Sequence, residues 1–287
     1  MRIFLLLFSL LFGFSQSTLA QASADKTASA MRIVALAPHI VEMLFELGVG
    51  EQIVGTVDYA DHPEAAKAIP RVGGYYGMQV ENILALKPDV VFAWRSGNKA
   101  TDLEQLARLG LNIVYSQPDK IDDVAKELRY FGGIVNKPEV AEQVAVKFEQ
   151  QLAKLRQQNS GKQQIKVFYQ LWPEPMMTIN KNTWIHQLVE ICQGENVFAN
   201  NPTDYPLISI ENVMVAQPQL IILPDEKSKT VQPKIAWQNW PEIPAVKANA
   251  FIRVNADLLH RFSPRMLTGV EQLCRDIDLT RSALSDH

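Results

Sequence analysis

The 287-residue chain lacks the marks of a catalytic or nucleic-acid-binding protein. It has no G-x-S-x-G, no H-E-x-x-H, no phosphate-cradling loop and no G-x-G-x-x-G. Its five histidines, His39, His62, His186, His260 and His287, are scattered and form no metal-ligand spacing. No catalytic residue and no metal ligand are therefore nominated. The formal net charge is −3, which argues against a nucleic-acid partner. Beyond the first residues, no apolar run is long enough to cross a membrane, so stable insertion is not expected. Cysteine is scarce, with only Cys192 and Cys274.

What is present begins with a leader. Met1-Arg2 is a short basic start, Ile3 to Phe14 is almost wholly apolar, and Ser15 to Ala22 turns polar and small. The three parts predict a signal peptide over residues 1–22 and a mature protein free in the periplasm. The apolar run is short for a span, and no cysteine near the cleavage region offers a lipid anchor. About 265 residues remain, enough for one large domain or two ordinary ones with a real core. In an exported chain, two cysteines read most simply as one disulfide, with two buried thiols as the alternative. Such a bridge closes a loop of about 80 residues and contributes roughly 4–5 kcal/mol by chain entropy.

From Met31 onward, strands and helices alternate. Ile33 to Leu36, Val90 to Trp94 and Ile113 to Tyr115 are short apolar runs that read as buried strands, and Ile53 begins another. Ile40 to Leu47, Val80 to Leu86 and Leu103 to Leu109 have helical spacing, stopped by Gly48, Pro88 and Gly110. This alternation predicts an α/β fold with a mostly parallel sheet covered by helices. In 138–158, Val140, Val144, Phe148, Leu152 and Leu155 recur every three or four residues behind Pro138. They predict one helix about 30 Å long. The second half then repeats the first. Glu81 to Phe92 aligns with Glu211 to Ile222 at an offset of 130 residues, and Tyr75 aligns with Tyr205. Two similar lobes follow, a first over 31–135 and a second over 161–287, joined by a connecting helix over 136–160. A cleft between lobes is a preferred ligand site.

Aromatic residues stand in the loops that would face this cleft: Tyr59, Tyr75, Tyr76, Trp94, Trp172 and Tyr205. Spread over both lobes, they fit a large flat ligand held by stacking. Asp257 and Arg261 in a late loop fit hydrogen bonding to polar groups on its edge, or an ion pair within that loop. His39, at a strand end, reads as a polar residue near a helix start rather than a cleft group.

The chain resembles the periplasmic substrate-binding proteins of ABC importers whose lobes are joined by a helical backbone. Within that group it is most similar to the cobalamin-binding branch. The resemblance runs from about Arg32 to Ile277 and rests on five stretches. They are Gly77-Met-x-x-Glu-x-Ile-x-Ala-Leu-Lys-Pro-Asp89, Ala93-Trp-Arg-x-Gly-Asn98, Glu190-x-Cys-x-Gly-Glu-Asn-x-Phe198, Ser263-Pro-Arg265 and Gln272-Leu-Cys274. The first is shared by haem, siderophore and cobalamin binders. The second stretch and the placement of the cysteines belong more closely to the cobalamin branch.

The resemblance implies a ligand, cobalamin or a related corrinoid, and no cofactor. It places Tyr59, Tyr75, Trp94, Trp172 and Tyr205 against the corrin, and Asp257 and Arg261 on its amide side chains. Tyr75 and Tyr205 stand where the branch has tryptophan. It gives Glu81 and Glu211, one per lobe, to docking on an inner-membrane permease dimer, pairs Cys192 with Cys274, and implies a monomer. His260 stands where the branch has no histidine and is expected to be solvent-exposed. A haem- or siderophore-binding protein of the same fold is the first alternative. A periplasmic enzyme on the scaffold is the second, and a protein-interaction module the third.

Overall fold

Short runs of β-branched and aromatic residues set the strands, and glycine or proline closes the intervening helices. The computed structural model describes residues 30–74, 76–225 and 234–285. The expected leader and Tyr75 lie outside the described residues.

The first lobe contains β1 (Ile33–Ala35), α1 (Pro38–Glu46), β2 (Ile53–Thr56), β3 (Gly73–Gly74), β4 (Gly77–Met78), α2 (Val80–Ala85), β5 (Val90–Trp94), α3 (Ala100–Arg108) and β6 (Ile113–Ser116). Its sheet has the order β2-β1-β5-β6, all parallel. Next come α4 (Asp123–Ile134) and α5 (Pro138–Asn159). The second lobe contains β7 (Ile165–Tyr169), β8 (Trp172–Pro173), β9 (Met176–Met177), α6 (Trp184–Ile191), β10 (Gly194–Asn196), α7 (Ile210–Ala216), β11 (Leu220–Asp225), α8 (Pro244–Lys247), β12 (Phe251–Asn255), α9 (Ala256–Leu259) and α10 (Met266–Ser285). Its sheet has the order β10-β7-β11-β12, again all parallel. The fold is thus α/β, with two similar parallel sheets joined by one long helix.

The internal repeat extends to backbone detail. Val80 and Ile210 open α2 and α7, and Val90 and Leu220 open β5 and β11, each pair 130 residues apart. Lys87 and Gln217, at the same offset, both turn into the left-handed region, with φ of 46° and 50°, before Pro88 and Pro218. Gly48 and Gly110 have φ of 73° and 81° just past α1 and α3, where glycine adopts the left-handed turn without a Cβ penalty.

Strand alternation divides the interior into three cores. On β1 and just past it, Ile33 and Ala35 face the central core, while Val34 and Leu36 face the other side of the first sheet. On β7, Ile165, Val167 and Tyr169 face the central core, and Phe168 faces the outer core of the second lobe with Trp237. The central core is continuous across both lobes and includes Phe148, Leu152 and Leu155 of α5. The buried stripe of α5 departs from the sequence expectation in its first turns, where Ala141 and Ala145 are buried rather than Val140 and Val144. The small residues let α4 come close, because a Cβ on Gly132 would lie 2.2 Å from that of Ala141. The sequence reading left α4 unassigned. Gly132 and Gly133 near its end mask the buried Val124, Leu128 and Phe131, which have helical spacing.

Candidate ligand-binding cleft

In a parallel sheet all strands end at one edge, and ligands of open α/β folds bind outside those carboxyl ends. Residues nominated from sequence fall there. Trp94 closes β5, Tyr59 follows β2, Trp172 follows β7, and Asp257 follows β12. The carboxyl edges of the two lobes meet each other through a polar cluster and a chain of rings.

The polar cluster centres on Arg261. Its Nη1 donates to Glu42 on α1 at 2.9 Å and to Asp61 after β2 at 3.0 Å, while its Nη2 donates to Asp257 at 2.7 Å. Arg265 adds hydrogen bonds to Glu42 at 2.6 and 3.2 Å, and the Ser263 hydroxyl donates to the other Glu42 oxygen. Glu42 is only 3% exposed. A buried carboxylate persists because three donor groups satisfy it and two of them are cationic. Burial works against the Arg261 charge, but the hydrogen bond to Glu42, the charge of Asp257 and the bond to Asp61 outweigh it and raise its pKa. The anticipated pair of Asp257 and Arg261 therefore exists as part of a bridge between lobes.

Rings continue the bridge. Trp94 meets His39 edge-on at 5.3 Å, and His39 meets Phe262 at 6.3 Å. Phe262 packs on Trp184 at 4.3 Å, and Trp184 meets His260 at 6.4 Å. The Tyr169 hydroxyl and His260 Nε2 lie 2.9 Å apart. His260 is thus partly buried in the second lobe, contrary to the solvent-exposed position expected from sequence, because Tyr169 and Trp184 receive its ring. Burial lowers its pKa to about 4, against a smaller opposing effect of Asp257. Burial, reinforced by the Arg261 charge, lowers that of His39 to about 3. His39 Nε2 is 2.9 Å from the Ser116 hydroxyl, which donates to Glu127 at 2.7 Å. With the hydroxyl proton given to Glu127, neutral His39 donates from Nε2.

The Ala93-Trp-Arg-x-Gly-Asn98 stretch is a clamp for one ring. Asn98 accepts from the Trp94 backbone N–H at 2.8 Å and donates to the Leu36 carbonyl at 2.8 Å. Gly97 lies under the indole so closely that a Cβ there would sit 1.8 Å from the ring. The indole Nε1 is buried without a hydrogen-bond partner among the described residues.

Tyr59, Trp172 and Tyr205 stand on the segments that follow β2, β7 and β10. Tyr59 is 49% exposed and held at φ 64°, a conformation a bulky residue adopts only when its surroundings enforce it. Asp58 beside it donates its backbone N–H to Gly73 at 2.9 Å and ties this turn to the β3–β4 hairpin. On the second lobe, Trp172 donates its Nε1 to the Glu174 carbonyl at 3.1 Å. Trp172 pairs with Met177, which in turn bridges to Leu207, so the Tyr205 segment and the Trp172 hairpin form one ladder. Burial raises the Tyr205 pKa, with help from Asp204. Among the described residues, Tyr59, Trp94, Trp172 and Tyr205 make no ring contact with one another.

Glu81 and Glu211 are both exposed, each the second residue of its helix. A hydrogen bond from Ser209 lowers the Glu211 pKa. Cys192, at the end of α6, is bonded to Cys274 in α10. Sequence reasoning did not anticipate the ring contacts of His39, and it passed over Glu42, Asp61, Tyr169, Trp184 and Phe262. Their types are ordinary, and only the meeting of the two sheet edges brings them together.

The periplasmic binding protein family model matches residues 33–258. A vitamin B12-binding protein of Pectobacterium carotovorum subsp. carotovorum is 36% identical over 248 residues, 86% of this chain and 88% of the relative. One from Vibrio cholerae serotype O1 is 37% identical over 245 residues, 85% of this chain and 88% of the relative. The crystal structure of the periplasmic vitamin B12 binding protein BtuF of Vibrio cholerae has a TM-score of 0.80 at 35% identity, covering 88% of this chain and 98% of its own. The periplasmic heme-binding protein RhuT from Roseiflexus shares the fold, with a TM-score of 0.77 at 22% identity, covering 88% and 99%. On both sequence and structure, the chain belongs to the periplasmic binding protein family, among its vitamin B12-binding proteins.

Proposed function

We propose that this chain captures cobalamin or a related corrinoid between its lobes in the periplasm and delivers it to an inner-membrane ABC permease. It acts as a binding protein and not an enzyme, as a monomer without a cofactor, after removal of a signal peptide over residues 1–22. The observation that carries this reading is the joint placement of aromatic rings and the Asp257–Arg261 pair at facing carboxyl edges. A corrin is wide, largely flat and fringed with amides. Tyr59, Tyr75, Trp94, Trp172 and Tyr205 supply faces for stacking, and Asp257 and Arg261 supply hydrogen bonds to the amides. Arg261 carries a second duty, because it also holds Glu42 and Asp61 of the other lobe.

Haem is the rival ligand of the fold. His39 and His260 each engage Nε2 with a hydroxyl, Ser116 and Tyr169 respectively, and burial disfavours charge on both rings. Those bonds occupy Nε2 of both rings, while the neutral state that burial enforces is the one an iron ligand needs, so the comparison of cyanocobalamin with haemin decides between the two ligands.

Glu81 and Glu211 form one docking point per lobe for a permease of two equivalent subunits, where rim charge sets register and association rate more than affinity. Titrating the purified mature protein with cyanocobalamin and separately with haemin, followed by tryptophan quenching and calorimetry, tests the ligand. One-to-one cyanocobalamin binding with much weaker haemin binding supports the assignment; no cyanocobalamin binding refutes it.

A further inference from the structure

The bridge between the lobes holds more acid than base. Arg261 and Arg265 face three carboxylates, those of Glu42, Asp61 and Asp257. Beside them, burial keeps the rings of His39 and His260 uncharged at neutral pH. Glu42 and Asp257 alone would neutralise the two arginines, so Asp61 is an acid that neutrality does not require. The excess negative charge sits where Glu42 and Arg261 are buried and Asp61 is half-buried, and screening there is weaker than in open water.

The hydrogen bonds add a second condition. The two N–H groups of Arg261 Nη1 go to Glu42 and Asp61, and one N–H of Nη2 goes to Asp257. Nη2 keeps its second N–H among the described residues, next to the Asp257 carboxylate, which accepts several bonds at once. A donor and an acceptor side by side match a primary amide. Its carbonyl accepts from Nη2 and its NH2 donates to Asp257. A carboxylate meets the same donor but has nothing to give Asp257, and its charge stands against the excess acid.

We infer that Glu42 and Asp61 act from the first lobe as specificity residues, making the Asp257–Arg261 pair take neutral amides and refuse carboxylates. The two acids hold Arg261 in place and cancel the positive charge that would otherwise draw an anion. Specificity of this kind rests on a repulsive element as much as on an attractive one. The preferred ligand is a flat macrocycle fringed with primary amides rather than one fringed with carboxylates. This rests on the corrinoid reading above and names what part of the chain reads the fringe.

The test titrates the full mature protein calorimetrically, at neutral pH, with cyanocobalamin and with its monocarboxylic acids, in each of which one peripheral amide is hydrolysed. It compares wild type with Asp61→Asn, with Glu42→Gln, and with Glu242→Gln, which removes the same charge from an exposed site on the second lobe. Melting temperatures check folding, and Asp61→Asn decides alone if buried Glu42→Gln fails to fold. Wild type should bind at least one of the acids at least about tenfold more weakly than cyanocobalamin. In Asp61→Asn and Glu42→Gln that penalty should shrink at least about threefold, while Glu242→Gln keeps it in full. Acids bound by wild type as tightly as cyanocobalamin, or a penalty that Glu242→Gln lowers equally, overturns the inference. So does a penalty that survives Asp61→Asn, including one that survives while both affinities fall together, as loss of structure alone would produce. A wild type that binds no cyanocobalamin instead overturns the corrinoid reading.

Discussion

Trp94 shows how neighbouring residues fix a single ring. Its ring is fixed from beneath by Gly97, from the edge by His39, and through the backbone by Asn98. Gly97→Ala must push the indole aside, since its Cβ would stand 1.8 Å from a ring carbon. The expected outcome is cyanocobalamin affinity lowered at least about tenfold, with only about 1–3 kcal/mol lost in stability. Titration alongside urea unfolding checks both. The buried histidines give a second prediction. Both folded pKa values, about 3 for His39 and about 4 for His260, lie below the ordinary 6.5. As pH falls below 6.5, the unfolded chain binds protons that the folded chain refuses. Stability is then lost down to the folded values at up to about 1.4 kcal/mol per pH unit for each ring. Burial raises the pKa of Glu127, which works the other way in the acidic part of this range. Urea midpoints should fall steadily from pH 6.5 to 4.5, and His260→Asn should reduce that slope. An unchanged midpoint across the range contradicts the neutral, buried rings.

At the scale of elements, apolar periodicity and stop residues carried most of the information. The strands at Ile33, Val90 and Ile165 and the helix behind Pro138 lie where spacing placed them. α4 was missed because Gly132, needed for close approach to α5, and Gly133 beside it resemble breakers. The Cys192–Cys274 pairing was legible because two cysteines in one chain allow one possible internal bridge. That bridge ties α6 to α10 over 82 residues. Reduction should lower unfolding free energy by about 4–5 kcal/mol. Chemical denaturation with and without dithiothreitol measures this, and a loss below about 1 kcal/mol contradicts the loop-closure account.

For the whole molecule, the two lobes share a core that runs from the first sheet through Phe148 and Leu152 to the second. Hinge motion across a continuous core should be small, because separating the lobes would expose apolar area that the core keeps from water. The facing sheet edges were only half legible. Residues with conspicuous chemistry, the aromatics with Asp257 and Arg261, could be nominated from loop position. Glu42 and Asp61 could not, because their partners lie about 200 residues away and meet them only when the sheet edges face each other. The central claim is that this interlobe surface holds a corrinoid. Calorimetric titration of the mature protein with cyanocobalamin, repeated with Trp94→Ala, tests it most directly. The account predicts saturable one-to-one binding in the nanomolar to low micromolar range, weakened at least about tenfold by the substitution. Absence of binding, or binding that Trp94→Ala leaves unchanged, contradicts it.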